Sequence, residues 1–470
     1  MVFNSLQYAL FLPLVFVLYW TVLRKHQNKL LLVASYVFYG SWDWRFLTLI
    51  WISTIADYTI ARALARQDDD KARRRLMLGS VGVNLGILGF FKYFNFFADS
   101  AADLLNTIGL ETSPAFLGII LPVGISFYTF QTLGYTIDVY RRDLEPTDNL
   151  LDFAVYVAYF PQLVAGPIER AKRLLPQIHA KRALPRKDDI FSGVFLILLG
   201  LFKKVVIADG IAGSVNEAFA RSETASWIML LVGVYAFALQ IYGDFSGYSD
   251  IARGTSRLLG IELMVNFEQP YLSRNITHFW RTWHISLSTW LRDYLYITLG
   301  GNRNGVNKTY RNLALTMLLG GLWHGASWNF VIWGGLHGIY LIAHRFMRDK
   351  APKRATDPVT ARDILPMLAT FHLVCLTWIF FRAETFGEAW SYLTGILSFR
   401  SGAPDYRAIS LLLPLGLMML AIDLTQRQLR NQTAILTWPP VRKGLAFGVM
   451  VVGIIVFSGA AQVPFIYFQF

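Results

Sequence analysis

The chain has 470 residues, 54% of them hydrophobic and 15% aromatic, while only 16% are charged, against roughly 25% in an ordinary soluble protein. Apolar runs of near-spanning length recur from end to end, so the composition suits lipid as solvent and excludes disorder, collagen and a secreted disulfide scaffold. The single cysteine, Cys375, lies in an apolar run, which leaves no bridge or thiolate metal cluster to build; the net charge of +13 raises the question of nucleic acid, but the basic residues sit between the apolar runs.

A hydrocarbon core about 30 Å thick takes about 20 residues of helix. The sequence predicts spans near 5–23, 30–43, 46–64, 76–98, 115–140, 189–209, 225–243, 312–330, 331–347, 364–381, 408–424 and 443–461. That is an all-α polytopic integral membrane protein of roughly 11–13 transmembrane helices plus re-entrant or interfacial helices. It reads as a single transmembrane domain over 1–470, with a catalytic core about 115–345. The first run lacks a basic leader and an Ala-x-Ala-like cleavage site, so it is expected to be a span, not a cleaved signal. Asp57, inside the third span, is expected to pair with a neighbouring polar group as a packing device. Residues 150–165 are apolar but short, and basic residues on one side flank them, which favours a re-entrant or interfacial hairpin.

Residues 244–311 form a polar, aromatic segment between two good spans, read as re-entrant or amphipathic. The stretch Asp244-Phe-Ser-Gly-Tyr-Ser-Asp250 reads as a polar turn closing the 225–243 helix; it lacks the strand-turn-helix context of a nucleophile elbow. Within 278–294, helical spacing sets Trp280, Trp283, Leu287, Trp290, Leu291 and Tyr294 on one face and His278, Arg281, His284, Ser288 and Arg292 on the other. That pattern fits an interfacial helix anchored by tryptophan, or a polar stripe lining a cavity. In 318–338, His324 sits in an apolar run beside Gly320, Gly321 and Gly325 and between Trp323 and Trp328. An ionisable group there is a functional-site hypothesis, set against a hydrogen-bonded imidazole among glycines that merely permit close helix packing. His337 and His344 share a face of the next span, where packing or interfacial hydrogen bonding is expected.

With the amino terminus outside, the connections holding Arg24, Lys25 and Lys29, then Lys71 to Arg75, Arg170 to Lys187, Arg345 to Arg354, and Arg427 to Lys443 all face the cytoplasm. The outer connections are nearly free of Lys and Arg, the asymmetry expected of a multi-pass protein. No Walker A loop, His-Glu-x-x-His site or glycine-rich dinucleotide turn occurs. A neutral histidine shielded by tryptophan suits proton abstraction from an alcohol, and hence acyl transfer to a hydroxyl. A polymer or lipid-precursor transporter is the alternative class, but such proteins usually show paired carboxylates and interrupted helices in corresponding halves.

HFWRTWHISLSTWLRDYLYITLGGNR at 278–303 and LLGGLWHGASWNFVIWGGLHG at 318–338 together resemble the membrane-bound O-acyltransferase (MBOAT) family, in the bacterial branch typified by the alginate O-acetylation protein AlgI. The opening twenty residues, FYTFQTLGYTIDVYR at 127–141, FPQLVAGPIER at 160–170 and DFSGYSDIARG at 244–254 are similar to that branch in the same order. The resemblance implies a helical bundle around a central tunnel in the bacterial inner membrane. An acetyl group would arrive there as a cytoplasmic thioester, acetyl-CoA or another acyl donor, with no bound cofactor and no metal. It implies a catalytic base at His324, from the Trp-His-Gly motif, and a second catalytic histidine at His284, from Trp-His-x-Ser-x-Ser. His284 would position donor or acceptor, or hydrogen-bond the developing oxyanion. Arg281, Ser288, Trp283, Trp323 and Ser327 are the candidate substrate-binding residues. The expected partners are membrane lipids, an extracytoplasmic SGNH-type acyltransferase and polysaccharide-export machinery, with no nucleic acid. The same motifs also fit D-alanyl transfer to teichoic acid or acetyl transfer to peptidoglycan.

Overall fold

The computed structural model describes residues 1–113, 117–347, 359–459 and 464–466. The first residues of the 115–140 span, the end of the 443–461 span and part of the Arg345 to Arg354 connection lie outside the described residues. All regular structure among the described residues is helical. Among the described residues, seven helical runs are long and apolar enough to cross a membrane: Arg24–Ala65, Asp70–Thr107, Lys187–Ala220, Trp227–Leu258, Ala361–Arg382, Tyr406–Gln428 and Pro440–Phe457. The protein is an all-α polytopic membrane protein. Several expected spans are helical but shorter or more polar than that, namely Leu6–Trp20, Ile125–Tyr140, Val306–His324 and Trp328–Phe346. Two others, 30–43 and 46–64, lie in one run that is interrupted at Asp43, whose extended backbone (φ −158°, ψ 109°) precedes a 3-10 turn capped by its own carboxylate.

The described residues fall into two compact units. The first comprises Met1–Pro185, Ser256–Leu263 and Gly325–Ser327. Its helices Leu47–Ala65, Asp70–Leu88 and Ile125–Tyr140 are tied together around buried Asp57. That carboxylate accepts hydrogen bonds from Ser80 Oγ, from Asn84 Nδ2 at 2.7 Å and from Thr136 Oγ1 at 3.1 Å. A carboxylate so saturated with donors serves as the interhelical polar joint expected of it. The 150–165 stretch is two short helices, Leu150–Ala158 and Phe160–Leu163, broken at Tyr159 and buried almost throughout. Protein covers this irregular backbone, as membrane depth requires.

The second unit comprises Arg186–Thr255, Met264–His324 and Trp328–Phe470. Here the structure corrects two expectations. The helix that begins at Trp227 does not close at a polar turn; it runs unbroken through Asp244–Asp250 to Leu258. Its polar residues are tolerated because they meet cations on the Lys187–Ala220 run, and its glycines serve the same crossing. A Cβ on Gly247 would lie 2.7 Å from the Gly200 carbonyl oxygen, so the two backbones approach as only glycine allows.

The second correction concerns 278–294, which is not one amphipathic helix. Helix Ile276–Thr282 stops, Trp283 is extended (φ −97°, ψ 127°), and His284 takes a left-handed conformation (φ 43°) before helix Ile285–Trp290 begins. The cause is a competing set of backbone partners. The Glu268 N–H donates to Thr282 O at 3.0 Å and the Ile285 N–H donates to Asn266 O at 2.9 Å, so residues 266–268 take groups that a continuous helix would use. A left-handed histidine is strained, and the strain marks a site worth testing for function.

The break between Val306–His324 and Trp328–Phe346 falls at Gly325–Ser327, so His324 is the last residue of its helix. These two helices cross at Gly321 and Gly334, where an added Cβ on Gly334 would overlap the Met317 carbonyl oxygen. Gly334→Ala should therefore cost about 1–3 kcal/mol of overpacking and lower the thermal midpoint of the detergent-solubilised protein. Gly416→Ala, with open space around its Cβ, should leave that midpoint in place. Equal midpoints for the two variants would refute the crossing as the reason for Gly334.

Candidate functional site

His284 and His324 both lie in the second unit, buried to 0% and 4% exposure. One indole joins them: the Trp323 ring centroid is 5.9 Å from that of His284 and 5.1 Å from that of His324. Other aromatic edges stand beside them. Phe245 stands edge-on to His284 at 4.6 Å, while Trp333 and Phe381 stand edge-on to His324 at 4.9 and 5.4 Å. Burial pushes the pKa of His284, which lies between the membrane-spanning runs, well below its ordinary value.

His284 is also held by polar contacts. Its Nδ1 lies 3.3 Å from Asn266 Oδ1, and that same oxygen accepts the Ser286 backbone N–H at 3.2 Å and the Ser286 hydroxyl at 2.9 Å. Asn266 Nδ2 in turn donates to Ser249 Oγ at 3.3 Å. Four segments of one unit thus converge on this imidazole: residue 249 of the long helix, residue 266, residues 284–286, and Trp323.

The other sequence-derived candidates are placed differently. Ser288 donates its hydroxyl to Trp283 O at 3.0 Å, bracing the helix break from below. Trp283 is buried and stacks on Phe279 at 5.5 Å, with Trp378 at 5.2 Å, in the aromatic cluster next to the histidines. Arg281 is exposed, not aligned with buried His278 and His284 as a common polar stripe would require. The break at 283–284 takes His284 out of that stripe, while His278 and Arg281 share one helix and still differ in exposure. Ser327 lies half-buried in the link after His324 and belongs to the first unit.

His337 has the packing role expected of it. The Trp280 indole N–H donates to Nδ1 at 3.2 Å, and Nε2 meets Thr377 Oγ1 at 3.0 Å, so both ring nitrogens are engaged. His344 Nδ1 meets Thr277 Oγ1 at 2.8 Å.

Sequence reasoning missed Asn266 and Ser286, and it missed the buried ions beside them. Lys203 pairs with Asp250 at 2.8 Å; Lys204 pairs with Asp209 at 2.8 Å and Asp244 at 3.0 Å, and all five side chains are almost wholly enclosed. The Lys-Lys doublet inside the apolar 189–209 run was the available signal, because two cations at that depth require carboxylates nearby. The π-helical turn Phe202–Ala208 carries both lysines toward the long helix. Asp423, also buried, accepts from Tyr242 at 2.9 Å.

A family model described as "MBOAT, membrane-bound O-acyltransferase family" matches residues 142–366. A protein of Azotobacter vinelandii named "Probable alginate O-acetylase AlgI" is 47% identical over 404 residues, covering 85% of this chain and 78% of the relative. The "Peptidoglycan O-acetyltransferase" of Helicobacter pylori is 37% identical over 82% of this chain and 78% of its own length. The "Teichoic acid D-alanyltransferase" of Streptococcus thermophilus is 30% identical over 61% of this chain and 75% of its own.

The ion pairs make a direct forecast. Lys204→Met would leave two buried carboxylates facing each other without a cation, a loss of about 3–5 kcal/mol. The yield of folded, monodisperse protein on size exclusion should fall sharply. Arg281→Ala, at an exposed position, should give normal yield.

Proposed function

This chain belongs to the membrane-bound O-acyltransferase family, and from that premise we propose that it moves an acetyl group from a cytoplasmic thioester toward O-acetylation of an exported, alginate-like polysaccharide. The protein is a multi-pass membrane O-acyltransferase. Acetyl is favoured over D-alanine because identity to the alginate O-acetylase relatives, at 47%, exceeds the 30% to the D-alanyltransferase.

The observation that carries the reading is the pair of buried imidazoles flanking one indole. In the proposed reaction, His324 takes the proton of an acceptor hydroxyl as its oxygen attacks the thioester carbonyl. The C–O bond forms, the C–S bond breaks, and the thiol leaves with a proton returned by the imidazole. Such a base contributes about 10²–10⁴-fold, and fixed orientation in a dry site supplies more. His284 positions the acceptor alongside. Trp323 separates the two imidazoles and limits the space between them, which suits an acyl group as small as acetyl. Acetyl-CoA is the proposed donor; it would approach from the side bearing the basic connections, with the amino terminus on the opposite face of the bacterial inner membrane. The proposed acceptor is an extracytoplasmic SGNH-type acyltransferase, which would then decorate the polymer as export machinery delivers it.

The test is acetyl transfer from radiolabelled acetyl-CoA by purified protein in the presence of its partner. His324→Ala should abolish transfer, by at least about 10²-fold, while the protein still folds; a wild-type rate would overturn the mechanism. His284→Ala should lose activity partly to severely, and a normal rate would remove it from the site. Product formed from a D-alanyl carrier protein but not from acetyl-CoA would replace the acetyl reading with the teichoic-acid one.

A further inference from the structure

The hydrogen bonds around Asn266 define a proton position. A backbone N–H can only donate, so the Asn266 amide atom 3.2 Å from Ser286 N must be the oxygen. The opposite amide atom, facing Ser249 Oγ at 3.3 Å, is then the NH₂ group, and Ser249 accepts from it. His284 Nδ1 lies 3.3 Å from that same fixed oxygen, so Nδ1 must carry the hydrogen. The Ser286 hydroxyl agrees with this: it donates to Asn266 Oδ1 at 2.9 Å and turns a lone pair toward Nδ1 at 3.4 Å. A neutral imidazole has one ring proton, so with Nδ1 protonated Nε2 holds a lone pair.

The same reasoning gives the opposite result at two other buried histidines. At His337 the donor is the Trp280 indole, which places the ring proton on Nε2, toward Thr377 Oγ1, whose own hydroxyl donates to Val374 O at 2.7 Å. At His278 the Arg274 backbone N–H donates to Nδ1 at 3.2 Å, which again places the proton on Nε2. Of these three imidazoles, only His284 is set to accept a proton at Nε2.

We propose that Asn266 is a positioning residue that locks His284 in the Nδ1–H tautomer, so that Nε2 can only accept a hydrogen bond from the bound donor or acceptor and cannot donate one to the oxyanion. The proposal rests on the acyl-transfer reading and narrows the role of His284 within it. It also explains the left-handed backbone at residue 284: the Ile285 N–H reaches Asn266 O at 2.9 Å only with the chain turned there, which brings the ring back over the same asparagine. Ser249 completes the device by holding the amide the right way round.

The experiment is 15N NMR of histidine-labelled protein in detergent, with the His284 signals identified by their loss in His284→Gln. Wild type should show a pyrrole-like Nδ1 and a pyridine-like Nε2 at His284. The reverse assignment overturns the proposal without any variant and without any acyl donor, so it is separable from a failure of the acyl-transfer reading, which the His324→Ala assay reports. Asn266→Ala should shift the His284 signals toward the Nε2–H form and lower kcat by about 10-fold or more, comparable to other losses of a histidine-orienting partner, with the KM for the thioester nearly unchanged. Asn266→Asp, which keeps the accepting oxygen, should retain the Nδ1–H signal where Asn266→Ala loses it. Unchanged histidine signals in folded Asn266→Ala would equally overturn the proposal.

Discussion

The arrangement of the site depends on two backbone hydrogen bonds, Glu268 N–H to Thr282 O and Ile285 N–H to Asn266 O. They draw residues 266–268 against the 282–285 segment and stop a helix that sequence spacing alone would continue. Without them Trp283 and His284 would remain one step apart on a regular helical surface. With them, Trp283 joins the Phe279 and Trp378 cluster while His284 turns toward Phe245 and Trp323. The surroundings of His284 are thus a consequence of where main-chain donors and acceptors find partners, and the side chains follow.

Around that joint the second unit combines very close backbone approach with costly buried charge. The Gly200–Gly247 and Gly321–Gly334 contacts let helices meet at main-chain distance, where dispersion and short dipolar contacts replace a hydrophobic drive that lipid does not supply. The same proximity brings Lys203 and Lys204 within 3.0 Å of their carboxylates. Desolvating these ions is expensive, and removing one partner costs more than the pair contributes, so the network constrains which packing of the unit is allowed. Ser249, which orients Asn266, lies between Asp244 and Asp250 on that constrained helix, so the ion pairs hold the hydrogen-bond chain to His284 in register.

The aromatic walls give the chemistry its medium. An acyl thioester resists water poorly once a base is nearby, so a transferase must keep water away from the imidazole that activates its acceptor. In the proposed reaction Trp323, Trp333, Phe245 and Phe381, which line His284 and His324, would do so. His337, on the following helix, sits among the same tryptophans with both ring nitrogens hydrogen-bonded, so burial among tryptophans is by itself compatible with a packing role.

The sequence by itself determined the solvent, the helical class, the family resemblance and the two histidines worth testing, because hydropathy and short motifs are local properties of the chain. It also located Asp57 and foresaw its role as an interhelical joint. It misread the Asp244–Asp250 stretch as a turn and 278–294 as one amphipathic helix, since periodicity assumes that a helix continues until its own residues stop it. Whether Asp244 and Asp250 may sit inside a helix depends on Lys203 and Lys204, some forty residues earlier; whether a helix passes through His284 depends on the backbone of residues 266–268. Those partners are distant in sequence and adjacent only after folding, so only the tertiary structure could decide that Arg281 faces outward, that Trp323 joins the histidines, and which nitrogen of His284 carries the proton.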